Sequence, residues 1–92
     1  MTTLAEVKSA QPDWFSRDNR RFFNDVGYRI LHGKVSRRPF LVRSTYMWSD
    51  MFGSPKRLCY RVNPLADDLK IKPLVDTQFR DLEEVREWLK EA

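Results

Sequence analysis

The feature that most constrains this chain is an alternation repeated in several short stretches: apolar or aromatic side chains on one side, a cation on the other. In Phe40-Leu41-Val42-Arg43-Ser44-Thr45-Tyr46-Met47-Trp48, strand geometry puts Phe40, Val42, Tyr46 and Trp48 on one face and Arg43 on the opposite one. Leu58–Val62 repeats the pattern around Arg61, Tyr28–Leu31 around Arg29, and Lys70-Ile71-Lys72 with two lysines. A period of two marks half-buried strands rather than helices. If these strands share one sheet, one face is apolar and the other carries a cluster of cations.

The rest of the chain supplies the elements that such a sheet needs. Thr3-Leu4-Ala5-Glu6 has capping-box spacing and predicts a short helix, ended by Gln11-Pro12-Asp13. Phe15, Phe22, Phe23 and Val26 fall on one helical face, which predicts a helix over Trp14–Asn24 with Arg17, Arg20 and Arg21 on the remaining surface. Strands are predicted at Tyr28–Leu31, Phe40–Trp48 and Leu58–Val62. A fourth is expected over Lys70–Phe79, at an edge, bulged or interrupted because Pro73 lacks a ladder donor. Asp81 and Glu84 form a second capping signal, and Leu82, Val85, Trp88 and Leu89 then make one apolar stripe. The expected fold is a small α+β domain: an antiparallel sheet of three to four strands, an N-terminal helical segment, and a C-terminal helix packed on one face through Trp88. At 92 residues the chain reads as a single domain over 1–92, with 1–12 as a segment that can hang loosely.

Charge narrows the partners. The net charge is +4, with 12 Lys/Arg against 5 Asp/Glu in residues 1–62 (+7) and 5 against 8 in residues 63–92 (−3). A basic body points to phosphate or to an acidic protein surface. Cys59 is the only cysteine, so no intrachain disulfide forms, as suits a reducing compartment. The start Met1–Glu6 lacks a signal-peptide pattern, and no apolar run reaches the ~18 residues of a membrane span. These features predict a cytoplasmic protein that does not engage a membrane.

Catalytic and metal chemistry are not expected. With one His and one Cys the chain cannot assemble the usual four N or S ligands of a structural zinc site. Gly27, Gly33 and Gly53 are isolated and build no phosphate loop, and Asp50, Asp67 and Asp68 fit no calcium loop. Cys59, mid-strand, reads as a small buried hydrophobe, and His32 as a loop residue. No cofactor is expected.

Three stretches resemble SH2 domains, the phosphotyrosine-binding modules. His32–Arg37 is similar to that family's opening, and Phe40-Leu41-Val42-Arg43 to its phosphate-binding strand. Thr77–Leu82 is similar to the entry of its second helix. The resemblance implies an arginine at position 43 that grips a phosphate. The chain departs from the pattern where only Arg38 and Pro39 stand in place of a helix, and where a later histidine has no counterpart. The activity is therefore not carried over, and Arg43 stands as an anion contact on the alternation alone.

The function expected from sequence is that of a small, non-catalytic, basic binding protein. Its partner is nucleic acid or a nucleoprotein complex, met by Arg29, Lys34, Arg37, Arg38, Arg43, Lys56, Arg57, Arg61, Lys70 and Lys72. The alternative is an accessory or inhibitory protein, of the kind that phages and mobile elements encode, docking on a host protein through a Met51-Phe52 loop tip beside Lys56 and Arg57.

Overall fold

The computed structural model of the chain describes residues 1–47 and 57–92. The polypeptide opens with helix α1 (Leu4–Ala10), a 3-10 turn (Pro12–Phe15) and helix α2 (Arg17–Phe23). Four strands follow, β1 (Asp25–His32), β2 (Pro39–Met47), β3 (Arg57–Pro64) and β4 (Thr77–Phe79), and then helix α3 (Leu82–Glu91). The strands form an antiparallel meander in the order β1-β2-β3-β4, which makes a small α+β domain.

Caps set the helix limits. The Thr3 hydroxyl accepts from the Glu6 amide at the start of α1, and Asp81 accepts from Glu84 at the start of α3. Between these, the expected single helix over Trp14–Asn24 is split. Ser16 takes an extended conformation and its Oγ accepts from the Asn19 amide, so Ser16 caps a new helix instead of continuing one. Asn24 then ends α2 in the left-handed region at φ 57°, a position where Asn is tolerated because its short polar side chain strains little.

Both sheet faces are covered, and this changes the meaning of the alternation. On one face Val42 and Val62 pack under Val85 and Leu89 of α3, with Leu31, Phe40, Tyr60, Phe79 and Leu82 around them. On the other, Leu41, Leu65 and Ile71 pack under Val7 of α1, with Trp14, Phe15, Tyr28 and Ile30 around them. Residues 1–12 are therefore not a loose appendage. Val7 is fully buried, and the Gln11 side chain accepts from the Ile71 amide at 2.8 Å. Each fully buried Val or Leu contributes about 1.5–3 kcal/mol, so α1 is a structural layer.

Further expectations are corrected. Trp88 is not sealed against the sheet. It lies at the rim of the α3 face, 36% exposed, edge-on to Phe40 and tilted against Phe79. The fourth strand is at an edge and interrupted, as expected, but is shorter than Lys70–Phe79. Only Thr77–Phe79 pairs with β3, while Ile71 makes an isolated bridge to Leu65. Pro73 interrupts the donor row, and the stretch before β4 is held by a side chain instead. Asn63, fully buried, donates its amide N–H to the carbonyls of Lys72 (3.4 Å) and Val75 (3.1 Å). His32 is the last residue of β1 and not part of the turn that follows.

The β1–β2 turn is tied to α3. The Lys34 amide donates to the Leu89 carbonyl and the Ser36 amide to the Ala92 carbonyl, both at 2.9 Å. A Cβ on Gly33 would lie 2.5 Å from that same Ala92 oxygen, so only glycine fits without moving backbone.

Candidate functional site

The cations divide into two populations. The first is held by carboxylates. Arg43, central on β2, is 2% exposed, because α2 and the 3-10 turn close over it. Its guanidinium lies 5.3 Å from the Phe23 ring centroid and 5.9 Å from that of Trp14, two rings stacked on each other. Its Nε donates to Asn63 Oδ1 at 3.1 Å and Nη2 to Asp76 Oδ2 at 3.1 Å, while Nη1 faces Asp25 Oδ2 at 3.5 Å. Arg61, opposite Arg43 on β3, shares Asp76 at 3.4 Å. The expectation of Arg43 as an outward anion contact is thereby overturned. A guanidinium costs several kcal/mol to bury and is retained here by carboxylates.

Asp25 reports the same environment. Its Oδ2 accepts from the Tyr28 hydroxyl at 2.9 Å, and its Oδ1 is buried without a partner. Burial pushes its carboxyl above the usual range, and the charge of Arg43 and the Tyr28 hydrogen bond offset part of that rise. Burial, together with the hydrogen bond to Asp25, pushes the Tyr28 phenol far above its ordinary 10.0.

The second population points outward. Arg29 does not join Arg43 and Arg61 on one face, as the alternation suggested. It pairs with Val42, while Tyr28 pairs with Arg43, so Arg29 projects on the α3 side. The extra residue Val26, at the irregularity between Asp25 and Gly27, lies ahead of this register. Lys34, Arg37 and Arg38 are exposed in the β1–β2 turn, and Arg57, Lys70 and Lys72 are exposed at the start of β3 and before β4. Lys56, Met51 and Phe52 lie outside the described residues.

Sequence reasoning placed Arg17, Arg20 and Arg21 on the surface of a helix but missed that they line a groove. The groove is open and lies around the start of β1, lined by Asn24, Asp25, Val26, Phe15 and Tyr46 together with these arginines. The spacing of three and four residues along α2 puts the three arginines on adjoining rows. That spacing was the readable signal. The groove itself depends on Asn24 reversing the chain so that β1 runs back beside α2.

Arg17, Arg20, Arg21, Arg29, Lys34, Arg37 and Arg38 have no carboxylate partner among the described residues. They concentrate at the two ends and the middle of edge strand β1. Its eight residues span roughly 25 Å.

Nucleophile and base are kept apart. His32 pairs with Pro39 at one end of β2 and Cys59 with Thr45 near the other, roughly 20 Å apart at strand rise. Cys59 is 3% exposed and burial pushes its thiol up, away from the reactive thiolate. Among the described residues no three His, Cys, Asp or Glu side chains are grouped to hold a metal ion, and no helix is long and apolar enough to cross a membrane. No family model matches the chain, and no curated protein or solved structure matches it.

Proposed function

We propose that this chain is a non-catalytic binding protein that engages nucleic acid along edge strand β1, from the α2 arginines through Arg29 to the β1–β2 turn. The observation that carries this reading is the sorting of its cations. Arg43 and Arg61 are given carboxylates, and the seven along β1 are left without them, as are Lys8, Arg57, Lys70, Lys72, Arg80 and Arg86 elsewhere among the described residues. A surface that needed only solubility would gain from interspersed pairs. Unpaired Arg and Lys at a sheet edge release condensed counterions when phosphates replace solvent, which drives binding and makes it salt-dependent.

Arg37 supports the reading independently. Its φ is 58°, the left-handed region, where Gly or Asn is the inexpensive choice. An arginine there is held at a backbone cost, which fits a residue kept for its side chain. The β1–β2 turn is also anchored to α3, so Lys34, Arg37 and Arg38 are presented from a fixed loop and lose less entropy on binding.

The test is a salt series of fluorescence anisotropy titrations with labelled oligonucleotides. The expected result is binding that weakens linearly in log affinity against log salt, with a slope of about −0.7 to −0.9 per phosphate neutralised. Absence of binding at low salt to single- and double-stranded DNA and RNA would overturn the proposal.

A further inference from the structure

We infer that the groove between α2 and the start of β1 is a subsite for an unstacked nucleotide, so that the preferred ligand is single-stranded nucleic acid and not duplex. The inference rests on the nucleic-acid reading above. It takes from the groove what the unpaired cations alone do not give, namely a reason to prefer one form of nucleic acid.

Three observations combine. The rim carries Arg17, Arg20 and Arg21, none with a carboxylate partner among the described residues, so a phosphate entering the groove meets guanidinium groups that no carboxylate already holds. The lining includes Tyr46, 40% exposed although it lies on the same sheet face as the buried Val42. Among the described residues, those that pack around α3 on that face reach from Phe40 and Val42 to Tyr60 and do not include Tyr46. Asp25, which also lines the groove, turns its Oδ2 inward to Arg43 and the Tyr28 hydroxyl, so that oxygen is already held from inside.

A duplex can offer phosphates to the rim but keeps its bases stacked on each other. Only a single strand can turn a base out onto Tyr46 while its phosphate lies on the arginines, and such stacking tolerates every base. Phe15, partly exposed, and Asn24, whose side chain can donate and accept, also line the groove.

The experiment compares a fluorescein-labelled twelve-residue oligothymidylate, a twelve-base-pair duplex of mixed sequence, and polyglutamate of similar charge. Each is titrated against the wild-type chain, Tyr46→Leu and Arg20→Gln/Arg21→Gln, and thermal melting confirms that both variants are folded. The expected result is tighter binding of the single strand than of the duplex. Tyr46→Leu should lower single-strand affinity at least about fivefold and leave duplex affinity unchanged. Arg20→Gln/Arg21→Gln should lower both and reduce the salt slope. Equal binding of the two nucleic acids, with Tyr46→Leu neutral or equally damaging to both, would overturn the groove assignment and leave the nucleic-acid reading intact. Binding of neither nucleic acid would overturn both, and tight binding of polyglutamate alone would transfer the surface to an acidic protein partner.

Discussion

At Arg43 a guanidinium has been removed from water and given Asp25, Asp76 and Asn63 in exchange. Arg43→Gln should destabilise the fold by about 3–5 kcal/mol, because it strands the buried carboxylate of Asp25 without its counter-charge. A urea midpoint equal to that of wild type would show that Arg43 is not a structural partner. Tyr28 gives a pH signature at the same place. Its folded-state pKa is raised, so the folded chain holds the phenolic proton after the unfolded chain has lost it. The stability it contributes is intact below the ordinary value of 10.0 and is lost as pH rises beyond it. Urea midpoints measured through that alkaline range should fall for wild type and fall less for Tyr28→Phe. Arg37 makes the opposite trade. Arg37→Gly should raise stability by about 1 kcal/mol, by relieving a left-handed residue, and weaken oligonucleotide binding. A variant that is both more stable and equally tight would remove Arg37 from the interface.

Among the elements, α3 and α1 hold opposite faces of one sheet, and their contributions are separable. Leu89→Ala and Val7→Ala should each cost about 1–5 kcal/mol in thermal or urea unfolding, since both side chains sit in close-packed clusters. Trp88→Ala should cost less than Leu89→Ala, because a third of its surface never leaves water. The reverse ranking would mean that the rim aromatics, not the Val/Leu stripe, fix α3. How much of this was legible varies by element. The stripe Leu82, Val85, Leu89 and the cap at Asp81 marked α3, and alternation marked β2 and β3, because both periods are local. What covers each face is not local. Alternation shows that Arg43 and Val42 point apart, but not that Trp14 and Phe23 will fold over Arg43. It shows that Arg29 opposes Tyr28 and Ile30, but the partner residue is set by hairpin register. The α2 break was not read, because the helical spacing of Phe15, Phe22 and Phe23 runs across Ser16, whose side chain caps a new helix. The groove was beyond local reading because it joins a helix, a strand start and the end of β2.

For the molecule as a whole, charge is partitioned by pairing. The net charge of +4 hides a network in which buried Arg43 and half-exposed Arg61 are matched by buried Asp25 and exposed Asp76, and an edge along β1 in which seven cations are unmatched among the described residues. Stability and polyanion binding should therefore respond to different arginines. The most direct test pairs two double variants, Arg43→Gln/Arg61→Gln and Arg37→Gln/Arg38→Gln, each measured for melting midpoint and for the salt slope of oligonucleotide affinity at a temperature where it is folded. The inner pair should lower the melting midpoint and leave the slope unchanged. The turn pair should leave the midpoint near that of wild type and reduce the slope by about 0.7–0.9 for each phosphate no longer engaged. An inner pair that loses slope at an unchanged midpoint, or a turn pair that binds as wild type does, would contradict the division.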